Sequence, residues 1–340
     1  MKSQVYTCGI IGFGYMGEIR KRVADQFDEL EVIGVSEVSA EKRAKVKGCP
    51  VFETYEELMV LDPDILFVCT PNVSSPEFCI RSMQSGKHVF CEKPPGRNLQ
   101  DIQNIVNAQL PSTKLMFGFN HRFHPAVLKA KAVIDAGRLG NVISLRGVYG
   151  KSGGQDFKSS WRNEKAISGG GILLDQGIHM LDIFRFLGGD FPVVKCITSK
   201  SYWDFPVEDN ACVILMNEQG KLASLHSSAT LWKHTFRFDV TLEEGYLSVQ
   251  GLLSKSGSYG REQIIIARRQ FENETEAVGN PAEELTYFDK DLSWELEMKE
   301  FLSCIVEDRE VTISSAYDAL KVMEIIDTAY KDAGSEKVEV

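Results

Sequence analysis

The chain has 340 residues, 43% hydrophobic and 25% charged, enough for two domains that each bury a core. Its formal charge of −10 and pI near 5.3 argue against a nucleic-acid partner, which needs clustered Lys and Arg to displace counterions. No stretch approaches the roughly 18 apolar residues of a membrane span, and residues 1–7 lead into a strand pattern without the apolar core of a signal peptide, so a soluble cytoplasmic protein without a membrane partner is expected. The eight cysteines contain no C-x-x-C pair, and several sit in apolar runs such as Ile65 to Cys69. They read as buried thiols in a reducing compartment.

In chain order, strands are expected near 5–11, 30–36, 65–69, 88–91 and 114–119, with helical patterns between them, the signature of a parallel sheet with helices on both faces. Thr54 and Glu57 form a capping box, Ser75-Pro76 opens a helix that Gly86 closes, and a further helix over 125–136 stops at Gly137. After Asn141 the pattern changes to period-two runs at 142–149, 211–216, 222–228 and 236–242, which predict a mostly antiparallel sheet. One face of that sheet is expected to lie under a helix and the other to meet solvent or a partner subunit. Helical patterns at 293–306 and 315–333 close the chain. The change of pattern divides it into a dinucleotide-binding domain, 1–123, and a substrate-binding and oligomerisation domain, 124–340, with the last helix able to pack back on the first domain. Residues 151–167 lack periodicity and suit a loop over a site.

Gly12-Phe13-Gly14-Tyr15-Met16-Gly17 follows a strand and opens a helix, the setting a dinucleotide fingerprint requires. Glu37, twenty residues after Gly17, can accept hydrogen bonds from ribose hydroxyls and repels a 2′-phosphate, favouring NAD over NADP. Lys42 and Arg43 are near enough in sequence to serve a phosphate instead. Thr70-Pro71-Asn72 ends the third strand, where ligands of parallel sheets bind, and Glu92-Lys93 places a carboxylate and an ammonium at the end of the fourth. The run from Gly169 to Asp182 reads as a glycine-led helix with Asp175 and His179 four residues apart on one face and Asp182 beyond them. Leu174, Ile178, Leu181 and Phe184 would turn to a core, and the competing reading is an amphipathic helix whose polar face meets water. Acid, imidazole and acid in a row fit proton handling. His121 and His124 are three apart, yet the six histidines show no recognised metal spacing, so no metal is expected. His226 and His234 fall in or beside strand patterns.

Taken together, the Gly12–Gly17 motif, the run Gly86-Lys87-His88-Val89-Phe90-Cys91-Glu92-Lys93-Pro94, the run from Gly118 to Pro125 and the run from Gly169 to Asp182 resemble the glucose-fructose oxidoreductase, inositol dehydrogenase and MocA family over nearly the whole chain. The resemblance implies an α/β fold, with an N-terminal Rossmann doubly wound parallel sheet and a C-terminal α/β domain bearing a large, mostly antiparallel open sheet. It implies NAD or NADP as cofactor and a sugar, cyclic polyol or nucleotide sugar as substrate. Lys93, Asp175 and His179 would be the catalytic group, Glu92 would position Lys93 and the cofactor, and the Lys93–Pro94 bond would be cis. Asn120 would approach nicotinamide or substrate, and Trp161-Arg162 would be the substrate-loop dipeptide. Pairing of open sheets implies a homodimer or homotetramer. Within the same resemblance stand a glycosidase that retains NAD and a non-catalytic dinucleotide sensor. Trp232-Lys233-His234 with Ser258 to Glu262 is similar to relatives that work on surface-polysaccharide sugars.

Overall fold

The computed structural model describes residues 4–153, 155–273 and 276–335. Met1, Lys2 and Ser3 of the expected lead-in and Gly154 of the expected loop lie outside the described residues. The chain forms two compact units. The first runs to Phe119 and takes in Ala166–Gly169 and Trp294–Leu320, and the second comprises Asn120–Lys165, Gly170–Ser293 and the residues from Lys321 onward.

In the first unit, strands β1 (Tyr6–Ile11), β2 (Leu30–Ser36), β3 (Val51–Phe52), β4 (Ile65–Val68), β5 (His88–Cys91) and β6 (Leu115–Phe117) form a parallel sheet in the order β3-β2-β1-β4-β5-β6. All four residues of β4 are buried, because helices cover both faces and no alternation is needed. The order reverses between β1 and β4, so the turns leaving these two strands flank the crevice in which doubly wound sheets bind ligands. The Thr54 and Glu57 capping box is formed, and the helix Ser75–Gln84 carries its proline in the first turn, followed by Gly86 at φ +76°. β6 is shorter than expected, since Asn120–Phe123 already turns as a 3-10 helix.

In the second unit, β7 (Val142–Ser152), β8 (Val193–Ser199), β9 (Asn210–Met216), β10 (Leu222–Ser228), β11 (Thr230–Leu242), β12 (Gly245–Gln250), β13 (Glu262–Arg268) and β14 (Glu283–Phe288) form a sheet ordered β14-β13-β12-β11-β7-β10-β9-β8. Every pair is antiparallel except β7 with β10. The helix Ile178–Gly188 lies on one face. Gly147 of β7 lets it come close, as a Cβ there would sit 2.8 Å from Met180 and 2.9 Å from Phe184. On the other face the alternation leaves Cys212, Ile214 and Met216 exposed while Ala211, Val213 and Leu215 are buried. Cys212 therefore corrects the expectation of buried thiols; Cys49 and Cys69 are half-buried, and the other five are buried. The expected loop 151–167 contains 3-10 turns at Gln155–Ser159 and Trp161–Asn163 and a helical turn at Lys165–Ser168. Among the described residues, no helix is long and apolar enough to cross a membrane.

Candidate active site

The first unit builds an anion cradle. β1 runs into Gly12 at φ +87°, where a Cβ would meet the Cys69 carbonyl oxygen at 2.8 Å. Gly17 faces back onto the same turn, and a Cβ there would sit 2.2 Å from the Gly12 carbonyl oxygen. Glycine is thus required at both ends of the loop, at Gly12 by its positive φ and the chain leaving β4 and at Gly17 by the loop's own backbone. Gly14 differs: the nearest atom to a Cβ built there is the Lys42 ammonium, at 3.9 Å. Helix α1 (Tyr15–Ala24) begins after Gly14 with no side-chain cap, so its first amides and positive dipole end face outward, the arrangement that attracts phosphate. Phe13 is buried, Tyr15 exposed and Met16 half-buried. The loop is tied down by Glu37, whose Oε2 accepts from Phe13 N at 2.7 Å and Oε1 from Ser39 N at 2.9 Å. Each carboxylate oxygen keeps a further lone pair that a ribose hydroxyl could use. Arg43 is committed to the Glu37 and Val38 carbonyls and to Glu53. These features fit a dinucleotide.

Thr70 and Asn72 hold the turn after β4. Thr70 Oγ1 lies 3.2 Å from Ser75 Oγ, Asn72 Nδ2 donates to the Ser168 carbonyl at 2.7 Å, and Pro71 O accepts from the Ser74 and Ser75 amides. At the end of β5, Glu92 is buried and its Oε1 meets Arg20 Nε at 2.6 Å. Arg20 is wholly buried, also reaches Glu297 at 2.7 Å, and lies over the rings of Phe90 and Trp294. Burial opposes its charge, but Glu297 and Glu92 outweigh burial and its pKa is raised. This cluster fixes the strand end next to half-buried Lys93, and the Lys93–Pro94 bond is cis.

The second unit supplies the other set. Leu173–Gly177 is a π-helical turn, and the α-helix begins only at Ile178. The spacing of Asp175 and His179 is therefore not the α-helical i,i+4 relation that the sequence suggests, because a π turn takes in an extra residue. Asp175 lies 3.3 Å from both Lys151 Nζ and Arg162 Nε. The Arg162 guanidinium sits 4.6 Å from the Trp161 ring centroid, so the expected dipeptide and Asp175 come together. His179 is buried and stacks on His121 with centroids 3.7 Å apart and planes 20° from parallel. Asp182 corrects two expectations. It is fully buried in a bidentate pair with Arg122, both contacts at 2.7 Å, and so belongs neither to a water-facing helix edge nor to a proton-handling row.

Several pairings around these residues were not legible beforehand. His121 has Nδ1 at 3.1 Å from Asn120 Oδ1 and Nε2 at 3.1 Å from the Tyr149 hydroxyl, and Asn120 Nδ2 donates to Ser293 Oγ. Burial, then the nearby Tyr259 and Asp175, push the Tyr149 phenol well above its ordinary pKa, so it stays protonated. His124 faces Glu262 at 2.7 Å. Glu208 receives the amides of Gly171 at 2.9 Å and Leu173 at 3.1 Å and the Tyr330 hydroxyl at 2.8 Å. It closes the amino end of the segment bearing Asp175. His234 meets Ser258 Oγ at 2.8 Å and the Tyr259 ring at 5.3 Å, joining the two late motifs noted in the sequence.

Comparison with known proteins agrees with this fold. Residues 6–119 match the oxidoreductase family with an NAD-binding Rossmann fold, and 127–248 match the GFO/IDH/MocA C-terminal domain. The chain is 30% identical over 242 residues to levoglucosan dehydrogenase of Pseudarthrobacter phenanthrenivorans, covering 64% of this chain and 60% of that protein. It is also 30% identical over 235 residues to 1,5-anhydro-D-fructose reductase of Ensifer adhaerens, covering 66% and 70%. The solved structure of levoglucosan dehydrogenase in complex with NADH superposes with a TM-score of 0.84 at 21% identity, over 97% of both chains. The match of both domains to their family models, with a relative 30% identical over most of its length, places the chain in the GFO/IDH/MocA family of oxidoreductases.

Proposed function

We propose that this protein transfers a hydride between NAD(P) and a hydroxyl or keto carbon of a sugar, cyclic polyol or nucleotide sugar. The observation that carries this reading is the open cradle at Gly14, before the uncapped amino end of α1, in a chain of this family. The bound nicotinamide supplies the hydride acceptor or donor. His179 takes the hydroxyl proton on oxidation and returns it on reduction, since an imidazole nitrogen can accept a proton in one state and donate it in the other. The Lys93 ammonium stabilises the negative charge that develops on that oxygen. Asp175, with Arg162 and Trp161 beside it, orients the substrate and the imidazole, and Asn120 holds His121 against the His179 ring. Gly12 to Gly17 take the pyrophosphate, Glu37 the ribose hydroxyls, and Thr70, Pro71, Asn72 and Glu92 the nicotinamide side. NAD is favoured by the Glu37 carboxylate, with Lys42 the residue able to reach a 2′-phosphate.

Relatives named for an anhydrosugar and an anhydroketose support a ring sugar as substrate. The test is dinucleotide reduction with NAD or NADP against a panel of inositols, aldoses, glycosides and nucleotide sugars. Lys93→Ala should lower turnover about 10²–10⁴-fold with dinucleotide affinity retained; near-normal turnover removes Lys93 from the mechanism. The exposed face of the second sheet, with Ile143, Val193, Ile197, Ile214 and Leu222 at 44–60% exposure, supports self-association into a homodimer or homotetramer. Ile214→Glu should then yield a monomer by light scattering, and an unchanged mass rules that face out.

A further inference from the structure

The second unit carries an aromatic path that the proposed chemistry does not use. Phe157 and Phe205 line a small cavity together with Arg162, Asp175 and Glu208. Phe157 meets Trp203 edge-on at 5.2 Å, Trp203 stacks parallel on Phe205, and Tyr202 meets Trp203 at 5.1 Å. The path ends where Tyr202 and Trp232 meet edge to face at 5.0 Å, with 63% and 61% of their surface exposed. It therefore runs without a break from the Asp175 and Arg162 cluster to the surface.

The loop that presents Tyr202 is tied down by hydrogen bonds, and Trp232 stands on β11. The buried Asp209 carboxylate accepts the consecutive amides of Ser201, Tyr202 and Trp203 at 2.8–2.9 Å. Burial opposes its charge, but these bonds prevail and its pKa is lowered. The Trp203 indole donates to the Ala229 carbonyl at 3.0 Å, and Lys200 donates to Pro206 O. Tyr202 is thus kept in water by a loop built not to collapse and Trp232 by its place on β11, an exposure that costs hydration free energy unless a ligand covers the rings. Rings at 75° to one another form a corner rather than the parallel slot that would sandwich a flat base. A pyranose has an apolar C–H face that packs on such a ring by dispersion and against its quadrupole, with a hydroxyl rim left in water.

We propose that Tyr202 and Trp232 form a platform for a carbohydrate ring, so that the substrate is a glycoside or oligosaccharide with one ring on this platform and another at the Asp175 and Arg162 cluster. This inference rests on the sugar oxidoreductase reading given above. It is tested by tryptophan fluorescence, without dinucleotide, on titration with α- and β-linked disaccharides of glucose, galactose and xylose and with the free monosaccharides, and by initial rates on the same sugars. At least one disaccharide should quench fluorescence at roughly tenfold lower concentration than its monosaccharide. Trp232→Ala and Tyr202→Ala should each weaken that disaccharide about tenfold and the monosaccharide less than about twofold, with Trp232→Phe largely restoring it and dinucleotide affinity unchanged. Equal losses on both sugars, no quenching by any sugar, preferential quenching by uridine diphosphate, or a change of oligomeric state in place of sugar affinity would each overturn it. Discrimination by fluorescence with no sugar oxidised would leave the platform standing and remove the oxidoreductase reading, whereas oxidation with equal effects on all sugars would do the reverse.

Discussion

Glu208→Gln tests how the segment bearing Asp175 is held. Both Glu208 oxygens face the Gly171 amide, at 3.1 and 2.9 Å, and Oε1 also receives Leu173 N and the Tyr330 hydroxyl. Glutamine keeps one acceptor oxygen, enough for Leu173 and Tyr330, and turns an NH₂ toward a buried amide. A stranded buried donor costs about 1–3 kcal/mol, and removing a charge that burial disfavours offsets part of it, so a net loss of about 1–2 kcal/mol is expected near neutrality. Glu208→Ala strands both amides and the phenol and should cost about 3–5 kcal/mol. The pKa of Glu208 is raised, by burial first, against hydrogen bonds that lower it. From the ordinary carboxylate value of 4.5 upward, the folded state then binds more protons than the unfolded one, so this group's contribution falls as pH rises through its folded pKa. The glutamine variant should lose that slope. Urea unfolding across pH measures both effects, and kcat should fall with dinucleotide affinity intact because Asp175 lies two residues beyond Leu173. A Glu208→Ala protein as stable as the parent, or an unchanged pH slope in Glu208→Gln, would refute the reasoning.

Two further substitutions probe the frame of the site. Gly17→Ala puts a Cβ 2.2 Å from the Gly12 carbonyl oxygen, so calorimetric titration should show dinucleotide affinity reduced at least tenfold, and parental affinity would show that the turn tolerates the methyl. Asp182→Ala leaves Arg122 buried without its bidentate carboxylate and should lower unfolding free energy by about 3–5 kcal/mol; a loss below about 1 kcal/mol would show that the pair contributes little.

The parallel sheet was legible because each of its principal strands is a short apolar run set between helix signals, and the glycine loop because its spacing is local. In the second unit the four strands with clear alternation could be read. β14, with mostly exposed residues, had no such pattern, and β13 gathers three isoleucines in a row. The π turn at Leu173–Gly177 was not legible, since nothing in local propensity separates it from an α-helix over the same residues. Glu208, His121 and Arg122 take their roles from partners 28 to 122 residues away, and a spacing rule carries no information at that range. The polar residues of the Gly169 to Asp182 run were correctly singled out as unusual, yet periodicity could not say that Asp182 answers to a buried arginine and Asp175 to Lys151 and Arg162.

The most direct measurement is absorbance of reduced nicotinamide when the purified protein is mixed with NAD or NADP and the sugar, polyol and nucleotide-sugar panel, run beside His179→Ala and Lys93→Ala. The account predicts a signal with ring sugars, greater with NAD than with NADP, that falls by about two orders of magnitude or more in both variants while dinucleotide still binds. Binding of dinucleotide by the parent protein with no reduction on any member of the panel, or equal rates in the parent and both variants, would contradict it.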